Sequence, residues 1–413
     1  MNKKLHNRVA VSGTGCISGA GRDVRAHWDS LCNRRINCGP VPEWLFATDL
    51  PYPVFTAPAE CSHPEQDLYF PYLPPRPENE INRTILLVIN AAVQALLQTG
   101  LSLEELKMKN VGMVFGTTVG CTFNNEDYYS AWRRGEKPDP EPVNRYLAGN
   151  LASALQSFSG IKGPAAVITN ACASGTDAIG LARNWILSGL CDLVIAGGGD
   201  ELSRIAYNGF TSLQLTSKSP CRPFDRDRDG LNLGEGAAVL ILEPESRCRE
   251  RGSSTLGWLR GYGAANDAYH PTAPHPQGRG LKASLDMALE QIEGERKISY
   301  LNSHGTGTPS NDPAEMKGLQ SSSAYIENAA IVSSKGLTGH TLGAAGALEA
   351  IFTLLSLNEG FTPGSAGCSH PDPELALSPL TRGENRELAG SLGLSTSLAF
   401  GGGNSALILE RAK

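Results

Sequence analysis

Short β-branched and apolar runs alternate along the chain with longer apolar segments rich in helix formers. Arg8 to Ser12 is the first short run, and Gly13 ends it, which predicts a strand and a turn. Thr84 to Thr99 is strongly apolar and stops at Gly100, the place of a C′ glycine after a helix. Val111 to Phe115 predicts a buried strand. Ala165 to Thr169 predicts another, followed by the turn Asn170-Ala171-Cys172-Ala173-Ser174-Gly175 and a helix over Thr176 to Leu187. That helix carries Ile179, Leu181, Ala182, Trp185 and Ile186, so it is apolar on most sides, the mark of a buried helix. Leu193 to Ala196 predicts a further strand, stopped by Gly197, Gly198 and Gly199.

The second half repeats this grammar. Ala330 to Ser333 predicts a strand, Ser334 to His340 a turn, and Thr341 to Leu357 a helix with Leu342, Ala344, Ala345, Leu348, Ile351, Phe352 and Leu355. A last strand is expected over Ala406 to Leu409. Strands alternating with buried helices predict a layered α/β architecture. Two similar units predict a duplicated fold with both apolar helices at its centre, one half over 1–253 and the other over 254–413. Residues 38–80 are Pro-rich and without periodicity, so they read as an irregular cap over one end of the core.

Composition narrows the function. At 413 residues the chain exceeds one usual core, which agrees with two halves. A formal net charge of -6 argues against binding nucleic acid through bulk charge. No apolar run reaches the length of a membrane span, and Arg8 and Gly13 break the start too early for a signal-peptide core. The expected location is cytoplasmic. Ten cysteines are scattered without a C-x-x-C pair, so most are expected as buried thiols. No metal centre is expected: His270 and His275 share a Pro-rich loop but lack a carboxylate partner.

Several residues carry chemistry. Cys172 sits where a buried strand turns into a helix, and a helix start favours a thiolate. By position alone, a structural thiol fits there as well as a nucleophile. His304 precedes Gly305-Thr306-Gly307-Thr308, an open, hydroxyl-lined loop suited to an amide-bearing ligand arm; an incidental turn histidine is the plainer reading. His340 precedes Gly343 and Gly346, glycines that cost a helix roughly 1 kcal/mol each and so suggest a close backbone neighbour. The alternative is a helix-start cap. Lys335 lies beside a buried apolar helix and needs a partner, for which Glu315 is the candidate. Glu315 also fits a capping box in Asp312-Pro313-Ala314-Glu315. Phe400 opens Phe400-Gly401-Gly402-Gly403-Asn404, whose bared N–H groups suit an oxyanion hole, or simply make a flexible loop before a strand.

In combination and in order, these motifs resemble the elongating Cys-His-His β-ketoacyl-acyl-carrier-protein synthases of the thiolase superfamily. Arg222-Pro223-Phe224-Asp225, Arg228-Asp229-Gly230, Gly234-Glu235-Gly236-Ala237 and Asp267-Ala268-Tyr269-His270 add to the likeness, which runs from about Val9 to Leu409. The resemblance implies a thiolase-like α-β-α-β-α layering. It implies that Cys172 takes the acyl chain and that neutral His304 and His340 hold the malonyl thioester carbonyl during loss of CO2. The backbone N–H groups of Cys172 and Phe400 would form the second oxyanion site. Thr306, Thr308, Gly401 and Gly402 would contact the phosphopantetheine arm, Lys335 paired with Glu315 would orient His304, and Phe400 would act as a gate. No cofactor is expected on the chain itself, because the substrates ride on acyl carrier protein. Expected partners are that carrier and either a second copy or a chain-length factor of the same fold. Arg133, Arg134 and Lys137 are a candidate carrier-docking patch, and strand edges near Val167 and Val194 are candidates for pairing across a dyad.

The resemblance leaves fatty-acid and polyketide or aryl-polyene elongation both open, and two departures lean the chain toward the specialised polyketide or aryl-polyene role. Ala399 and Gly403 replace residues of the family's Gly-Phe-Gly-Gly-Thr-Asn loop, and the cap at 38–80 is unusual. Rival readings fit less well. A thiolase would carry a second cysteine in the C-terminal Gly-rich loop, and an initiating synthase would replace one histidine by asparagine. A dehydrogenase fingerprint begun at Gly13-Thr14-Gly15 fails at Ser18. A catalytically dead binding subunit would lack Cys172.

Overall fold

The computed structural model describes residues 8–75, 81–119, 125–148 and 150–412, with 145–148 as backbone only. In the first half the strands are β1 (Val9–Ser18), β2 (Val111–Gly116), β3 (Ala165–Ile168), β4 (Leu193–Asp200) and β5 (Gly236–Pro244). In the second they are β6 (Gly257–Asn266), β7 (Ile298–Asn302), β8 (Ala330–Val332), β11 (Leu392–Leu398) and β12 (Gly403–Arg411). A small ribbon pairs β9 (Phe361–Pro363) with β10 (Asn385–Glu387). The helices that matter here are α1 (Arg83–Thr99), α2 (Glu126–Arg133), α3 (Ser174–Leu187), α4 (Arg204–Ser212), α5 (Arg279–Glu290), α6 (Asn311–Gln320) and α7 (Ala345–Glu359).

The strand order is β3-β2-β4-β5-β1-β6-β12-β11-β7-β8. Read from each outer edge inward, β3-β2-β4-β5-β1 and β8-β7-β11-β12-β6 are the same sequence of first-to-fifth strands, so the two halves share one topology. They join where Val9–Val11 of β1 pairs antiparallel with Gly257–Leu259 of β6. Between the halves lie α3, against β2 and β4, and α7, against β11, β12 and β7; each also touches the other and the opposite half. Helix α1 covers β1 and β5 from outside, and α5 covers β6 and β12. This is the expected α-β-α-β-α layering. Helix α7 is buried nearly all round, and α3 is buried along its first half, while Asn184 and Leu187 near its C-terminal end are exposed.

Some boundaries differ from the sequence pattern. Glycine runs expected to stop strands lie inside them, because close backbone packing needs the missing side chain there. A Cβ on Gly13 would lie 2.0 Å from Ala95 O of α1, and one on Gly198 would lie 2.4 Å from Gly343 O. So β1 runs on to Ser18 with a bulge between Val11 and Gly13, and β4 runs through Gly197–Gly199 to Asp200. The helix expected from Thr341 begins as a 3-10 turn at Leu342–Ala344 and becomes α-helical at Ala345. Val167 does lie on the edge strand β3, which is only partly buried. Val194 does not mark an edge: it sits inside the sheet between Gly112 of β2 and Leu242 of β5.

Residues 38–75 form the expected cap, with little regular structure; 76–80 of that expectation fall outside the described residues. Phe55 N–H donates to Leu233 O and Glu235 N–H to Phe55 O. The cap thereby fixes the segment whose Asn232 O accepts the His340 N–H, at 2.8 Å. Among the described residues no helix is long and apolar enough to cross a membrane.

Candidate active site

Cys172 and His340 come from opposite halves and meet at the core. Cys172 lies two residues before α3, in a turn where Ala171 takes φ 42°, a region that L-residues adopt at a cost. The Cys172 Sγ is 3.0 Å from His340 Nε2. The His304 and His340 rings stand edge to face with centroids 5.2 Å apart. The sulfur and one nitrogen of each ring lie within 4.8 Å of one another, and all three residues are buried.

Lys335 is just inside the same cavity wall. Its Nζ is 3.3 Å from His304 Nδ1. An ammonium has only donors, so it hydrogen-bonds the Nδ1 lone pair and leaves the His304 proton on Nε2. The acid paired with Lys335 is Glu349 of α7, not Glu315. Glu315 does other work: its carboxylate accepts the N–H groups of His304 (2.7 Å) and Gly305 (2.8 Å) and the Thr396 hydroxyl (2.7 Å). Nor is it part of a capping box, because α6 starts at Asn311 and Asp312 accepts from Phe224 and Gly307 N–H instead. Glu315 therefore fixes the His304 loop through its backbone, and Lys335 fixes the ring.

Burial sets the protonation states. It holds His304 well below the ordinary imidazole range, with Lys335 and His340 adding to the effect. It does the same to His340, again helped by Lys335. Both rings are neutral at neutral pH. The Cys172 thiol is pushed up to about 11 by burial, while the Lys335 charge and the N–H groups of Phe400 and Cys172 pull it back. Glu349 is pushed up to about 7 by burial, against the pull of Lys335. The Phe400 and Cys172 N–H groups face the sulfur.

The cavity over the sulfur is lined by His304, His340, Thr306, Thr308, Phe210 and Phe400, among others. Its volume is about 40 Å³, space for roughly three waters at about 10–15 Å³ each. Two aromatic rings close over it. Phe400 stacks on Phe210 of α4, centroids 5.3 Å apart and planes at 19°, and Phe210 stands edge-on to His340 at 6.4 Å. Ala399 has φ -119° and ψ 152°, extended backbone open to any residue, so the alanine there does not strain this closed arrangement. The N–H groups of Gly401 and Gly402 do not face the cavity: they donate to Pro271 O and Ala399 O. The loop is held by the Asp267 N–H on Gly402 O and the Asn266 amide on Gly401 O.

Thr306 and Thr308 hydroxyls lie 2.9 Å apart on the cavity wall. His270 and His275 stay apart from the site, each with its Nδ1 taken by N–H groups of its own loop. Arg133 and Arg134 end α2 in solvent, where Arg134 forks onto Glu136 at 2.6 Å. Sequence reasoning missed Phe210, Asp200 and Glu349. Glu349 had a signal, a lone charge among the apolar positions of a buried helix.

A cysteine between two neutral histidines, across two halves of one topology, narrows the choice of families. The domain description "Beta-ketoacyl synthase, N-terminal domain" matches residues 6–247, and "Beta-ketoacyl synthase, C-terminal domain" matches 256–369. The chain belongs to the β-ketoacyl synthase family. It is 32% identical to the 3-oxoacyl-(acyl-carrier-protein) synthase 2 of Synechocystis, over 98% of both chains. It is 30% identical to the synthase of the same name from Vibrio cholerae, over 98% of this chain and 99% of that one. Among solved structures it resembles the ishigamide ketosynthase/chain length factor, with TM-score 0.89, 28% identity, and 99% and 100% of the two chains covered. It also resembles the ketosynthase ApeO, solved with its chain length factor ApeC from Xenorhabdus doucetiae, at TM-score 0.83, 29% identity and full coverage of both. As a β-ketoacyl synthase the chain is an acyltransferase that forms carbon–carbon bonds.

Proposed function

We propose that Cys172, His304 and His340 are the catalytic residues of a decarboxylating condensation between an acyl thioester and malonyl-acyl carrier protein. The 3.0 Å contact between Cys172 Sγ and His340 Nε2 carries this reading. His340 Nδ1 has no hydrogen-bond partner among the described residues, so neither tautomer of that ring is locked. In loading, Nε2 takes the thiol proton as Sγ attacks the acyl carbonyl. The carrier thiolate leaves and takes the proton, and the acyl group stays on sulfur. In condensation His340 presents Nε2–H, as His304 already does. The two donors hold the malonyl thioester oxygen as the carboxylate departs as CO2. The resulting carbanion attacks the acyl carbonyl on Cys172, whose oxygen develops charge toward the N–H groups of Cys172 and Phe400. The carbon–sulfur bond then breaks, and one proton from solvent restores the thiol.

Thr306 and Thr308 line the approach of the phosphopantetheine arm in this reading. Lys335, with Glu349, and Glu315 position His304, and Phe400 gates the acyl chain. No cofactor takes part; the substrates arrive on carrier protein, with Arg133 at the end of α2 as a docking candidate. The partner is a second copy or a chain length factor, with this chain as the active member, paired along β3. The halves divide near residue 253, the location is cytoplasmic, and the product is a fatty-acid, polyketide or aryl-polyene chain. The likeness to ketosynthases solved with chain length factors supports a chain length factor as that partner. Intact-mass measurement after incubation with acyl-carrier protein tests the loading step. The native chain gains one acyl mass that Cys172→Ala does not; acylation of both variants alike removes Cys172 from its role.

A further inference from the structure

Asp200 ends β4 and points its carboxylate into the seam between the halves, fully buried. One oxygen accepts from the Thr117 hydroxyl at 2.6 Å and the Val119 N–H at 3.2 Å. The other accepts from the Thr118 N–H at 2.8 Å and the Gly343 N–H at 2.7 Å. Three donors belong to the first half and the fourth to the second. We propose that Asp200 is a positioning residue for the condensation, holding the Cys172 turn and the His340 turn in register across the two halves.

Two short routes lead from this carboxylate to the reacting atoms. Thr118, held by its N–H, donates its hydroxyl to Ala171 O at 2.9 Å, and Ala171 immediately precedes Cys172. Gly343 follows Leu342 in the turn that carries His340. Ala171 has φ 42° and Leu342 φ 52°, both in the left-handed region that L-residues adopt only at a cost. Such strain persists only where the surroundings over-determine it. Here strained Ala171 is itself one hydrogen bond from Thr118, and Gly343, next to strained Leu342, is one hydrogen bond from Asp200. The clamp needs its close fit, since a Cβ on Gly343 would lie 2.7 Å from Asp200 Oδ2.

A plainer role, as a satisfied strand end, would affect folding alone. The charge separates the two. No cation pairs with Asp200 among the described residues, so its four donors alone oppose the burial that pushes its carboxyl upward. Its negative charge reaches the Cys172 sulfur and disfavours the thiolate. The isosteric Asp200→Asn removes that charge and sets an amide NH₂ against N–H donors, which opens one arm of the clamp.

The test measures two quantities on the same protein, with its partner chain if it has one. Condensation by Asp200→Asn is expected to lose roughly tenfold or more in kcat with KM for malonyl-carrier protein within about twofold. The midpoint of iodoacetamide alkylation of Cys172 is expected to fall to lower pH, since the charge that disfavours the thiolate is gone. Looser packing alone would raise alkylation at every pH without moving the midpoint. Condensation within about twofold of native, or an unmoved midpoint, overturns the proposal. Should Asp200→Asn fail to fold, Thr118→Val keeps the carboxylate and its backbone donors and removes only the bond to Ala171 O. It is expected to lower kcat several-fold, and a native kcat overturns the clamp. The proposal rests on the condensation reading, but alkylation needs no substrate, so failure of that reading and failure of the clamp are told apart.

Discussion

Lys335 Nζ lies 3.3 Å from His304 Nδ1, whereas His340 Nδ1 has no partner among the described residues. One cation therefore makes the two histidines unequal. His304 is a fixed Nε2–H donor, and His340 is free to exchange a proton with sulfur.

Removing the cation should uncouple these roles. In Lys335→Met the His304 tautomer is no longer fixed, and decarboxylation is expected to fall by roughly a hundredfold. Acylation of Cys172 should fall much less. A lone buried Glu349 would also cost stability, so Lys335→Met with Glu349→Gln is the control. Paired acylation and CO2-release rates check this; equal losses in both would assign Lys335 to the whole site.

The same charge shapes the pH profile. Both histidines are held well below 6.5, by burial first. The neutral, active forms therefore persist as pH falls through the ordinary imidazole range, and decarboxylation is expected to stay flat from pH 8 to pH 6. Lys335→Met relieves the repulsion, both imidazoles rise, and the acid limb moves to higher pH. An acid limb centred near 6.5 in the native enzyme would contradict the buried, neutral pair.

The closed cavity gives a steric prediction. Phe210→Ala removes the ring on which Phe400 stacks. A bulky maleimide should then gain more rate at Cys172 than iodoacetamide does. An unchanged ratio of the two rates would mean that Phe210 does not limit entry.

His27 links pH to stability. Its ring is fully buried, with Nε2 2.7 Å from Ser18 Oγ and Nδ1 2.7 Å from Asp23 O, and burial lowers it from 6.5 to about 4. The unfolded chain takes up a proton near 6.5 and the folded one near 4. Stability is therefore full above 6.5 and declines as pH falls toward 4, by about 3 kcal/mol from this group. Urea unfolding across that window should show a shallower decline in His27→Gln.

Much of the site was legible in the sequence because its signals are local. A strand-turn-helix around Cys172 and Gly-rich turns after His304 and His340 are contiguous patterns. The partners of Lys335 and Asp200 are not. Glu349 reaches Lys335 from a helix that starts ten residues later, and Asp200 collects donors from two segments far apart in sequence, so only the fold brings them together. Glycines misled for a related reason. Gly13 and Gly197 to Gly199 read as breakers, yet they let neighbouring backbone approach strands that continue. Val194 was apolar enough for an exposed edge or a central strand, and strand order decided between them.

The central claim is that three residues of one chain perform decarboxylation and condensation at one sulfur. CO2 release from malonyl-carrier protein, with any partner chain present and an acyl-carrier donor supplied, tests it most directly. Release is expected to be matched one-to-one by β-ketoacyl-carrier product, with release lost in His304→Ala and His340→Ala and product lost in Cys172→Ala. Absence of release from the native enzyme, or release indifferent to both histidines, would contradict it.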